Sequence, residues 1–328
     1  MHTLRQLVTY IFTDLGMLHF GAFAETTLFA ADATNNIIRK YTLTGTYIGQ
    51  ISNSELNFPT LLAATADGRT IVTDINFVGA AGPDLIRLDL AGNTLARASS
   101  QSIFGITGGG IVSVVDTGRN TFLITSTINS QIAETDYTFN RVRLIPTNTS
   151  PGGLRTLGIK MSPSGGQFFV ADADGQSGHG FLRIFDYQSG LQQNIVADPH
   201  IIFPVELSFS PNGNLFVSDR GISFTDDKIN QFSLSGQFIS QIASGASEHA
   251  NFGQFDITQD GHLLVLETNS LTQTPIRLLT YNGNLLYEFG PSNARITDLI
   301  AVSTVPEPST LVLFLVGSVL VAGSKRQA

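Results

Sequence analysis

The sequence predicts an all-β protein built around a six-bladed β-propeller, and three observations carry the prediction. A short apolar strand closed by an acid recurs along the chain, with a period typical of propeller blades. Glycine-bearing tight turns stand at matching places between the copies. The composition is strand-rich and turn-rich: of 328 residues, 42% are hydrophobic and only 13% charged, with 32 glycines and 23 phenylalanines. Charged residues usually make up about a quarter of a chain, so this one has ample apolar material for a large core.

The recurring strand reads Leu28-Phe29-Ala30-Ala31-Asp32, Ile71-Val72-Thr73-Asp74, Phe169-Val170-Ala171-Asp172, Phe216-Val217-Ser218-Asp219 and Leu264-Val265-Leu266-Glu267. In the third unit Leu123-Ile124-Thr125-Ser126 takes its place without the acid. With Asp32, Asp74, Ser126, Asp172, Asp219 and Glu267 as markers, the spacings are 42, 52, 46, 47 and 48 residues. A turn precedes the marker strand at Asp67-Gly68, Ser164-Gly165, Asn212-Gly213 and Asp260-Gly261, dipeptides that tolerate the positive φ of hairpins. An alternating third strand follows, such as Leu182-Arg183-Ile184-Phe185-Asp186. A second turn such as Ser235-Gly236 leads to an outer strand such as residues 237–242. Four strands in each of six units define the propeller. Aspartate at a strand end accepts backbone N–H groups of nearby turns, so the marker acids read as structural.

The first unit begins at its second strand. The segment Ile296 to Val302, after the sixth unit's outer strand, supplies the missing first strand, so both termini close blade one and the ring keeps no open sheet edge. The chain thus divides into a signal peptide at 1–24, a propeller at 25–303 and a tail at 304–328.

Several function classes are excluded early. A formal net charge of -8 leaves no basic surface to grip phosphate backbones, so nucleic acid is not a partner. Cysteine is absent, which rules out disulfides, thiolate metal sites and cysteine nucleophiles. No histidine pair has a ligand spacing such as HxH or HExxH. The run Gly108-Gly109-Gly110 reads as relief of crowding near the axis, not as a phosphate cradle.

The two ends point to export. His2 and Arg5 precede the apolar Leu7 to Phe12, and Ala22-Phe23-Ala24 offers a small-x-small cleavage site. At the other end, Pro306-Glu307-Pro308 is followed by an uncharged stretch from Leu311 to Ala322 and by Lys325-Arg326. Twelve residues of helix span about 18 Å, short of the ~30 Å hydrocarbon core, so this sorting helix is a marginal permanent anchor. Lys325 and Arg326 fit the positive-inside rule. The triplet, apolar helix and basic cluster together resemble the PEP-CTERM sorting signal of exported Gram-negative proteins. That resemblance implies processing near Pro306 to Pro308 by a membrane transpeptidase of the exosortase type, a transient membrane contact through the tail, and a final place in the cell envelope, at the surface or outside the cell. Units two and five, with Phe58-Pro59 and Phe203-Pro204 before the first strand, are similar to NHL-type repeats.

Counting six residues back from each first turn locates equivalent positions near the axis: Leu61, Gly158, Glu206 and Gln254, with Asp298 aligned by pattern to Glu206. Glu206, Gln254 and Asp298 belong to units five, six and one, which are neighbours in the ring. Two carboxylates and an amide converging there suit a hard cation such as Ca²⁺. Two functions follow as expectations. One is a non-catalytic binding or extracellular-matrix-associated protein whose partner is an extracellular polysaccharide or protein. The alternative is a metal-dependent lactonase or hydrolase, since six-bladed lactonases of the gluconolactonase type use a comparable axial metal.

Overall fold

Strand after strand along the chain pairs with its neighbour, which is how short hairpin-linked repeats bury their apolar faces. The computed structural model describes residues 25–304 except 76–83, 106–109, 128–130, 148–153, 175–178, 222–226, 245–251 and 268–274. The expected signal peptide, nearly all of the sorting tail and Gly108-Gly109 lie outside these residues.

Among the described residues, six four-stranded sheets form the blades. Blade one contains β1 (Glu25–Asp32), β2 (Ile37–Thr42) and β3 (Tyr47–Ser52); blade two contains β4 (Leu62–Ala64), β5 (Thr70–Ile75), β6 (Asp84–Asp89) and β7 (Thr94–Ser99). Blade three contains β8 (Ile111–Asp116), β9 (Thr121–Ser126), β10 (Gln131–Asp136) and β11 (Arg141–Pro146). Blade four contains β12 (Leu154–Met161), β13 (Gln167–Asp174), β14 (Gly180–Asp186) and β15 (Gln192–Val196). Blade five contains β16 (Pro204–Phe209), β17 (Leu215–Asp219), β18 (Lys228–Phe232) and β19 (Phe238–Ser244). Blade six contains β20 (Phe252–Ile257), β21 (Leu263–Glu267), β22 (Ile276–Leu279) and β23 (Leu285–Phe289).

The last strand, β24 (Ile296–Thr304), pairs with β1, so blade one runs in the order β24-β1-β2-β3. Side chains clasp the two at both ends: Thr26 and Ser303 share a hydrogen bond of 2.9 Å, and the Thr297 hydroxyl donates to the Ala31 carbonyl at 3.2 Å. The expected closure by residues from opposite ends of the chain is therefore present.

The burial of each strand follows its place in the blade. A second strand is covered by its sheet neighbours at its edges and by adjacent blades on both faces, so it reads as a continuous apolar run. All five residues of β17 are buried, whereas β23 is exposed over four of its five. Six hydrophobic clusters fill the seams between blades. Val72 meets Phe122 between blades two and three, Phe169 meets Leu207 between four and five, and Leu28 meets Leu264 and Leu299 between six and one. The remaining seams are filled in the same way.

Three of the marker acids, Asp32, Asp74 and Asp219, pin loops, as their strand-end position predicts, and Asp172 pairs with an arginine of the next strand. Asp74 accepts the backbone N–H of Thr60 at 2.6 Å and of Leu61 at 2.9 Å, which fixes the approach to β4. Asp219 does the same in blade five, accepting from Ile202 at 2.5 Å and Gly221 at 2.8 Å. Asp32 accepts from the N–H of Asn35 at 3.0 Å and from Arg39 Nε at 2.7 Å, and Asp172 from Arg183 Nε at 2.5 Å. Burial pushes the Asp74 and Asp219 carboxyls above the usual range, against the pull of those hydrogen bonds.

The second turns lock neighbouring blades together. Gly45, at φ +82°, packs so closely on blade six that a Cβ would lie 2.5 Å from the Phe289 ring. In blade three the same turn places Phe139, at φ +64°, where other blades use glycine. A short helix missed by the repeat pattern, α1 (Ser100–Phe104), is capped by the Ser99 side chain and ended by Gly105 at φ +79°. It inserts Ile103 and Phe104 between blades two and three, and it accounts for part of the 52-residue marker spacing.

Candidate functional site: the axial channel

The innermost strands alternate, so every second side chain points at the axis. Strand register sorts these side chains into two levels. One residue before the marker, Leu62 faces Thr73, Ser113 faces Thr125 and Glu206 faces Ser218. Three residues before it, Ala64, Val115, Lys160, Ser208 and Asp256 are paired at a second level. Leu62, Ala64, Ser113, Val115, Lys160, Glu206 and Asp256, together with Gln254, Asp298 and Ile300, line a cavity of about 320 Å³. The exposed Ala66 and Gln259 line it too, so it reaches the surface on the face of the first turns.

Each charged group here has a defined partner. Lys160 Nζ lies 3.5 Å from Asp256 Oδ1. The Ser208 hydroxyl donates to the same oxygen at 2.8 Å, while Asp256 Oδ2 accepts the Ala301 N–H at 3.0 Å. Asp256 thereby ties blades four, five, six and one together. Asp298 Oδ2 accepts the Leu62 N–H across the seam to blade two at 2.5 Å, and Oδ1 accepts the Leu299 N–H at 2.7 Å. Glu206 Oε1 accepts the Leu207 N–H at 3.2 Å. Gly158 leaves this level open: a Cβ there would lie 2.7 Å from the Val205 carbonyl and 3.0 Å from Glu206 Cα.

Crowding carboxyls inside the ring shifts their protonation. Burial pushes Glu206 up to about 7, with Lys160 opposing and Asp256 adding to the shift. Burial and the charge of Glu206 raise Asp298 well above the carboxylate range. Lys160 is penalised by the same burial, but Asp256, Glu206 and Asp298 outweigh it and hold the ammonium above its ordinary value.

Glu206, Gln254 and Asp298, predicted from the sequence, all line this channel. Lys160, Ser208 and Asp256 were missed, although Lys160 and Asp256 stand two residues beyond Gly158 and Gln254 and so share their face. Among the described residues no three histidine or acidic side chains are grouped to hold a metal ion. The positive charge beside the carboxylates belongs to Lys160. The sorting residues Pro306, Glu307, Pro308, Lys325 and Arg326 lie outside the described residues. No helix among the described residues is long and apolar enough to cross a membrane.

Residues 304–327 match the model of the PEP-CTERM protein-sorting motif. The chain therefore carries this signal after a six-bladed propeller: it is an exported protein, sorted to the cell envelope or surface through a signal that an exosortase recognises. Solved structures share the fold at low identity. A protein of unknown function from Bacteroides caccae is 13% identical with a TM-score of 0.61, covering 85% of this chain and 99% of its own. A candidate 6-phosphogluconolactonase from Bacteroides fragilis is 15% identical with a TM-score of 0.57, covering 86% and 99%. A functionally unknown protein from Desulfotomaculum acetoxidans is 15% identical with a TM-score of 0.51, covering 81% and 80%. No curated protein matches the sequence.

Proposed function

We propose that the protein is a non-catalytic binding module of the cell surface, associated with the extracellular matrix and holding a carbohydrate, polymer or protein there. The observation that carries this reading is the position of the sorting motif. The motif begins at residue 304, where closing strand β24 ends. Cleavage near Pro306 to Pro308 would spare every strand of the ring, so the processed protein keeps its fold and its loops.

The test is made in a host that has the matching transpeptidase. Mass spectrometry of surface material should find protein lacking Leu311 to Ala328, and an intact tail there would overturn the sorting half of the reading. The binding half is tested by retention of the processed protein on isolated matrix, with the tail-less propeller from the cytoplasm as competitor.

A hydrolytic alternative draws on Glu206, whose carboxyl near 7 suits proton transfer at neutral pH. It is separated by titrating lactone opening with the purified protein, with and without Ca²⁺. The binding reading expects the rate of buffer alone, and a Ca²⁺-dependent rate would replace it with a lactonase.

A further inference from the structure

The axial channel has two unlike halves. Blades four, five and six give it Lys160, Glu206, Gln254 and Asp256, while blades two and three give it Leu62, Ala64 and Val115, with Ser113 as the polar residue on their side, its hydroxyl accepting the Ile159 N–H. We propose that this channel binds a small uncharged polyhydroxylated molecule, a saccharide of one or two rings, with its hydroxyls on the polar half and a ring face on the apolar half. The proposal rests on the binding-module reading and names the ligand of that module.

The walls select this class by chemistry. A cavity of about 320 Å³ is at the lower end of small-molecule pockets, which run from about 300 to 1,000 Å³. A polyanion would meet the Asp256 carboxylate and a partly ionised Glu206, with the Lys160 ammonium already paired to Asp256. An apolar ligand would desolvate Lys160, Glu206, Gln254, Asp256 and Asp298 and return no hydrogen bonds, at a cost for each group. A divalent ion finds no group of three acids among the described residues and would compete with an ammonium already 3.5 Å from Asp256.

A hydroxyl both donates and accepts. One polyol can therefore serve the Lys160 donor, the Asp256 acceptor and the Gln254 amide together, and it leaves the net charge of the site unchanged. The C–H face of a sugar ring then has Leu62, Ala64 and Val115 to pack against. Exposed Ala66 and Gln259 at one end of the lining provide the way in.

The experiment is isothermal titration of the full-length chain in mild detergent at pH 7 with glucose, galactose, N-acetylglucosamine, cellobiose and maltose. At least one should bind saturably at one site per chain. Glu206→Gln and Asp256→Asn should weaken that binding about tenfold to a hundredfold, the effect of losing a hydrogen bond to a charged group. Ala64→Phe, which fills the channel, should abolish it. If Ala64→Phe fails to fold, Glu206→Gln, which keeps the side-chain shape, decides alone. Absence of binding by all five sugars overturns the proposal, as does saturable binding of Ca²⁺ or propylammonium in their place. A sugar that binds wild type and variants equally also overturns it, but leaves the binding-module reading standing, because the site is then elsewhere on the propeller.

Discussion

A chain ending at Asn293 should fail to fold, whereas one ending at Thr304 should melt like the full propeller. Loss of β24 removes Ile296, Leu299 and Val302, which are 1%, 2% and 6% exposed. Burying each aliphatic side chain contributes about 1.5–3 kcal/mol, so three of them approach the whole net stability of about 5–15 kcal/mol typical of a domain. The same cut uncovers Leu28 and Phe29 on β1 and leaves the Leu62 N–H and the Asp256 carboxylate without their partners from Asp298 and Ala301. It also opens the inner edge of β1, which invites pairing between chains. Circular dichroism and light scattering on the two chains would read both effects. Equal melting temperatures would mean that the ring does not depend on closure by β24.

Closure was readable because it is an accounting problem: six marker strands need six inner partners, and only the segment after the sixth unit was left to serve the first. Blade three was the least legible for a physical reason. Its second turn needs a residue at positive φ, a conformation that costs an ordinary L-residue about 1–2 kcal/mol, and Phe139 rather than glycine occupies it. That cost is offset by burial, at 3% exposure, and by a tilted ring contact with Phe122 at 5.8 Å. Propensity rules for turns cannot anticipate a strained aromatic whose compensation is tertiary. The five-residue helix α1 escaped for the same reason, since a single turn with Ile103 and Phe104 buried has no sequence period to show.

The channel was half legible. Counting back from the first turns found Glu206 and Gln254 because the hairpins in blades five and six have equal length, and Asp298 followed from its pattern match to Glu206. The count gave Leu61 in blade two, where the register places Leu62 opposite Thr73 as Glu206 stands opposite Ser218. Hairpin length is the cause: the backbone bond that closes the first turn spans Thr65 to Thr70 in blade two but Ser210 to Asn214 in blade five. Lys160 and Asp256 needed one further step, the two-residue alternation of a strand applied from Gly158 and Gln254. That step changes the chemistry, because it puts an ammonium among carboxyls that would otherwise call for a metal.

The protonation of those carboxyls should make the propeller more stable at pH 5 than at pH 8. Glu206 is raised in the folded protein from 4.5 to about 7, and Asp298 is raised as well, so between these values the folded state holds protons that the unfolded chain has released. Stability then falls as pH rises through that window. At about 1.4 kcal/mol per pH unit, Glu206 alone accounts for about 3 kcal/mol, and Asp298, Asp74 and Asp219 act in the same direction. Lys160, raised above 10.5, is charged in both states across this range and adds no slope. Below pH 4 the sign reverses, because Asp67, Asp136 and Glu134 are lowered by their hydrogen bonds, which outweigh burial, and lose that stabilisation when protonated. Urea melts at pH 5, 6.5 and 8 should show the midpoint falling with pH in wild type. The double variant Glu206→Gln with Asp298→Asn should lose most of that slope, because neither replacement side chain titrates. A wild-type midpoint that stays level from pH 5 to 8, or a slope unchanged in the double variant, would mean that the two carboxyls remain ionised and that the channel holds a compensating cation.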